Sequence, residues 1–142
     1  MLSLVMSIIL IGASPTDIKF DRPRPGITQN YRGDYYEVWR AMDWDFHNRQ
    51  YPGLASFKET HDFSIRPYKI RITLLAQMPH WVNKSKRPKE EQTYWDSMYK
   101  VMWEHEQIHL DIYQEAFNRA ALALEGKNPW QAEQIFQKFI KE

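Results

Sequence analysis

Residues 88–125 read PKEEQTYWDSMYKVMWEHEQIHLDIYQEAFNRAALALE. The spacing predicts one long helix. Pro88 suits a first helical position, and Glu90 and Glu91 suit the positive end of the helix dipole. Tyr94, Met98, Val101, His105, Ile108, Ile112 and Ala116 recur at intervals of three and four, which reads as an apolar stripe turned to a core. Gly126 is a natural stop. Asn128-Pro129 is a natural restart, by cap and first-turn proline, for an amphipathic helix over about 129–141.

Outward from this helix, Tyr68, Ile70, Ile72 and Leu74 alternate with Lys69, Arg71 and Thr73. Period two predicts a strand over about 68–75 with one buried face, ended by Pro79. Phe63 to Arg66 reads as its beginning or a partner, interrupted by Pro67. Tyr35, Tyr36, Val38 and Trp39 after Gly33-Asp34 read as a short aromatic strand. Residues 40–57 show no decisive period, and Tyr51-Pro52-Gly53 signals a turn. Residues 83–91 are a solvated charged loop. Residues 15–30 hold three prolines and read as an irregular lead-in to a domain over 31–142.

The whole chain has 142 residues and a formal charge of +1, and 43% of it is hydrophobic. This suits one compact domain and excludes a disordered chain. It also speaks against a protein held on nucleic acid by its overall field. With no cysteine, disulfide scaffolds, thiolate metal sites and cysteine nucleophiles are excluded. Residues 1–14 stand apart, with Leu2 to Ala13 nearly all apolar. The run falls short of the roughly 20 residues of a spanning helix. It reads as a signal peptide or N-terminal anchor, so the expected location is secreted or periplasmic, and any membrane contact is through this segment uncleaved.

Within the long helix stands His105-Glu106-Gln107-Ile108-His109. Two histidines four apart lie one turn apart on one face, so both imidazoles can reach one metal ion. The adjacent glutamate lies about 100° round the helix, where it can touch a metal-bound water without being a ligand. Zn2+ lowers the pKa of that water toward about 7. His105 and His109 are therefore the candidate zinc ligands and Glu106 the candidate general base.

A third ligand is expected and not evident. Glu115 lies about 9 Å further along a straight helix, off the histidine face. Asp111 points almost opposite His109. Glu133, on the next helix, would miss by about 15 Å in an antiparallel hairpin. A break in a helix of roughly 55 Å would bring Glu115 or Glu125 back. Otherwise His47, His61 and His80 are the candidates.

On these residues the sequence resembles a bacterial family of predicted secreted zinc-dependent proteases, held as a domain of unknown function. The likeness rests on Tyr35-Tyr36-Glu37-Val38, Thr60 to Arg66, Met78-Pro79-His80-Trp81, Trp95 and the motif through Ile112, over about residues 31–125. Ile108 departs from the small residue expected there. The resemblance implies a zinc peptidase with a peptide or protein substrate. The expected fold is a small zincin-like α+β domain, a short, mainly antiparallel sheet followed by the active-site helix and a C-terminal helix. An exposed sheet edge, the strand near Tyr68 to Leu75, is expected to hold extended peptide. Two other readings stand beside it. One is a non-catalytic exported binding protein on the same scaffold; the other is a metal-binding protein without hydrolysis.

Overall fold

The computed structural model describes residues 15–142, so the expected signal segment 1–14 lies outside the described residues. The architecture is α+β and is organised around one strand. β1 (Asp17–Asp21) and β2 (Gly26–Tyr31) come first, then α1 (Tyr35–His47), β3 (Leu54–Asp62) and β4 (Lys69–Trp81). A single 3-10 turn at Lys84–Lys86 leads to α2 (Lys89–Ala123), followed by α3 (Pro129–Lys141). Among the described residues no helix is long and apolar enough to cross a membrane.

The expected strand 68–75 is the core of β4, and its alternation is the one read from the sequence. Ile70, Ile72, Leu74, Ala76 and Met78 are all buried, with less buried residues between them. Pro79 does not end the strand, which runs on to Trp81. β3 pairs with β4 only as far as Leu54↔Gln77, and the ladder to β2 is irregular between Ile27 and Asn30, opposite Pro79. A residue without N–H is tolerated where the ladder is already interrupted.

The sheet corrects the mainly antiparallel expectation. β1 and β2 both pair parallel with β4, and only β3 pairs antiparallel. Lys69 to Thr73 are flanked by both β1 and β3, and Gln77 by both Gly26 and Leu54. Since β3 holds one edge throughout, β1 and β2 follow one another along the other. The stretch 15–30 is thus no irregular lead-in but an edge strand broken at Arg22 to Pro25. β4 is the centre of the sheet, so it is not the exposed edge expected for peptide binding; β3 is an edge. Its partner was misplaced too, since Phe63 to Arg66 form no strand and Thr60 to Asp62 only end β3.

The aromatic stretch at Tyr35 is a helix, not a strand. The Asp34 carboxylate accepts from Glu37 N at 2.8 Å, while Asp34 N donates to the Glu37 carboxylate at 2.8 Å. This reciprocal cap fixes the start. Val38, Met42 and Asp45, spaced by four and three, form the buried face. Asp45 accepts a 2.6 Å hydrogen bond from the Tyr31 hydroxyl. Burial, and then this bond, push the Tyr31 phenol up.

α2 is unbroken over 35 residues, about 52 Å. Its buried face is not the expected stripe. Val101 is 67% exposed, Ile108 59% and Ile112 53%, whereas Trp95, Glu106, Leu110, Phe117, Ala120 and Ala121 are buried. Packing chose the face that fits the sheet. Two apolar clusters result. The larger joins β4 to Leu110, Phe117 and Ala120 of α2 and to Ala132 and Phe136 of α3. The smaller joins Tyr31, Val38, Met42, Trp81 and Trp95. α3 starts as expected at Asn128, whose side chain accepts from Gln131 N at 2.9 Å.

Candidate metal centre and cleft

The rotation of α2 puts the motif in an unexpected attitude. His105 and His109, expected partly on the core face, are exposed, and Glu106 between them is only 6% exposed. One helical turn apart, the two histidines bring their Nε2 atoms to 3.0 Å. Two nitrogens each about 2.05 Å from one tetrahedral zinc would be roughly 3.3 Å apart. At 3.0 Å the pair is in direct hydrogen-bond contact, and an opening of about 0.3 Å would let both nitrogens reach one ion. Nitrogen is also the donor that zinc and similar metals accept from histidine.

Glu106 lies along α2 between the two apolar clusters, beneath the turn before β3. Gly53 makes that approach possible. A Cβ there would stand 2.8 Å from Glu106 Oε1 and 2.9 Å from Met102 Cγ. Among the described residues no hydrogen bond is directed to the Glu106 carboxylate, so its oxygens are not committed to a structural partner. The three motif side chains line one cleft of about 730 Å³, together with Pro52, Gly53 and Tyr113. Roughly 300–1,000 Å³ is the usual range for a small-molecule site.

Against this geometry, the family can be placed. A model of a family described as bacterial protein of unknown function (DUF922) matches residues 18–142. The chain belongs to this family. No curated protein and no solved structure matches it.

In this DUF922 member the candidate third ligands are all engaged or directed elsewhere. Glu115 is exposed and 3.3 Å from Arg119. Glu125 is exposed beyond the end of α2, and no break in the helix brings either glutamate back. His61 holds Glu59 at 2.9 Å through Nδ1 and Glu133 at 3.0 Å through Nε2, at the far end of β3 from Gly53. Glu133, discounted on distance, is thus the partner of that histidine. His80 is exposed on β4 and lines a separate hollow with Lys84 and Asp96. His47 is exposed at the end of α1, 2.7 Å from the Asp43 carbonyl. Among the described residues no three His, Asp or Glu side chains converge as a metal site. Asp111 is indeed off the motif, held by Arg22 at 2.6 Å.

Sequence reading missed Gly53, Met98, Met102 and Tyr113 as parts of the site. Tyr113 was within reach, since it stands four residues after His109 and so continues the histidine face. Gly53 was legible only as a turn.

Proposed function

We propose that this protein is an exported zinc-dependent peptidase, with His105 and His109 holding the metal and Glu106 as general base. The observation that carries the reading is the pair of Nε2 atoms 3.0 Å apart on the rim of a cleft that also contains an uncommitted, buried glutamate. When bound there, zinc would supply Lewis acidity and lower the pKa of a water toward about 7. The chain's own part is positional. Glu106, fixed by burial under Gly53, takes the proton of the attacking water and returns it to the leaving amine. His105 and His109 are exposed on the cleft, which leaves room for substrate beside them. β3 carries no strand on its outer edge among the described residues, and Leu54 and Ala55 at its start line the cleft. An extended peptide adding to that edge would pass the motif. Export rests on the apolar run Leu2 to Ala13.

The test is zinc stoichiometry by elemental analysis, beside turnover of a peptide pool. The wild type is expected to bind one zinc, and His105→Ala to bind none. Glu106→Gln is expected to keep the metal and to lose at least about 100-fold in kcat, the usual contribution of a general base. Peptide cleavage at an undiminished rate by Glu106→Gln would sink the mechanism. The second reading, a non-catalytic exported binding protein, is favoured by Val101, Ile108 and Ile112, which expose an apolar face along the motif helix. Partner capture that survives Glu106→Gln, without any turnover by the wild type, would select it. Zinc lost in the histidine variant without turnover or partner would leave the third, a metal-binding protein.

A further inference from the structure

The cleft beside the motif is chemically one-sided. Towards the N-terminus of α2 from His105, its wall is Met98, Val101 and Met102. These lie about 4–11 Å back along the helix axis. Facing them are Phe46, Tyr51 and Leu54. Phe46 and Tyr51 meet edge to face with ring centroids 5.7 Å apart, a mutually supported aromatic wall. The two methionines give the other wall an adaptable, polarizable lining. Among the described residues, the cleft's only lining side chains with a carboxylate or imidazole are the motif's own His105, Glu106 and His109.

The same wall residues leave much apolar surface in water. Val101 is 67% exposed, Phe46 55%, Tyr51 50% and Leu54 41%. An apolar group entering between them would be stabilised by covering that surface. An anionic group would shed its hydration and meet no cationic side chain among these wall residues.

We propose that this wall is a specificity pocket for one large apolar side chain, aromatic or long aliphatic, on the peptide residue next to the bond presented to the motif. The inference deepens the peptidase reading and rests on it for the word substrate; the pocket itself is tested separately from cleavage.

The experiment labels the methionine methyl groups of the full chain with carbon-13 and titrates four probes. N-acetylphenylalanine amide and N-acetylleucine amide are compared with N-acetylalanine amide and N-acetylaspartic acid amide. The Met98 and Met102 signals, assigned with Met98→Leu and Met102→Leu, are expected to shift with the first two probes. The last two should need at least about ten-fold higher concentration. Buried Met42 and Met78 serve as internal references. Val101→Asp, at an exposed position, is expected to abolish the shifts while the reference signals stay in place. Unmoved Met98 and Met102 signals, or equal response to the aspartate probe, would overturn the pocket.

A second arm cleaves peptide pools with Glu106→Gln as control. Peptides with Phe, Leu or Met beside the cleaved bond are expected to be cut at least about ten-fold faster than their Ala or Asp counterparts. Glu106-dependent cleavage with no such preference overturns the pocket and spares the peptidase reading. Methyl shifts without any Glu106-dependent cleavage support the pocket and overturn the peptidase reading.

Discussion

Gly53 is the residue on which the site turns, although it carries no side chain. Its hydrogen faces the Glu106 carboxylate, where a methyl group would fall at 2.8 Å from Oε1. Gly53→Ala must therefore displace Glu106, Met102 or the turn. The atoms the new methyl group meets belong to the flexible side chains of Glu106 and Met102, so the cost in stability is expected to fall below the roughly 1–3 kcal/mol of over-packing a close-packed core. Under the proposed mechanism the larger effect is expected in turnover, where a shift near 1 Å in the proposed base, Glu106, would lower kcat about 100-fold. Steady-state kinetics beside urea unfolding separates the two. A variant that unfolds more easily but retains full kcat would show that the close approach is packing alone.

At the scale of elements, the structure ties β3 to α3 through His61. Burial alone would lower the pKa of this imidazole. The hydrogen bonds that its ring N–H groups donate to Glu59 and Glu133, with the charges of those carboxylates, outweigh burial and hold it above the usual value of 6.5. A group with a raised folded pKa stabilises fully below its unfolded pKa, and that stability fades as pH rises through the folded one. The urea midpoint is thus expected to fall as pH climbs above about 6.5, and His61→Gln should remove this slope. An identical slope in the variant would place the titration elsewhere. Phe63 and Phe136 pack on the ring with centroids 4.6 and 4.9 Å away, so the contact is apolar as well as ionic. The helix of residues 35–47 belongs to this scale too. Its reciprocal Asp34–Glu37 cap was present in the sequence, but a run of Tyr, Tyr, Val and Trp reads equally well as strand. Tertiary burial of Val38, Met42 and Asp45 decided for helix.

For the molecule as a whole, α2 is a beam laid across two apolar clusters, with the motif between them. Phe136, wholly buried in the larger cluster, locks α3 against that beam and the sheet. Phe136→Ala is expected to cost about 3–5 kcal/mol, read as a lowered urea midpoint. The zinc binding proposed for the histidine pair should be unchanged in the protein that remains folded, because the residue lies against His61 and Phe117 and not in the cleft. If the wild type binds zinc, its loss from folded Phe136→Ala would show that the far cluster supports the histidine pair.

Some of this was settled by local chemistry and written in the chain. The alternation in Tyr68 to Leu75 has a period that only a half-buried strand satisfies. Pro88, Gly126 and Asn128-Pro129 mark helix ends by backbone chemistry alone. His105 and His109 share a helix face at any rotation of the helix, so their meeting needed no tertiary information. The rest depended on partners distant in sequence. Which face of α2 is buried turned on its fit to β4, and that choice exposed the histidines and buried Glu106. The parallel pairing of β1 and β2 joins residues about fifty apart, beyond any local pattern. The apolar wall of the cleft draws on α1, the turn at Gly53 and α2 together, because side chains from three segments become neighbours only after the core has fixed their backbones.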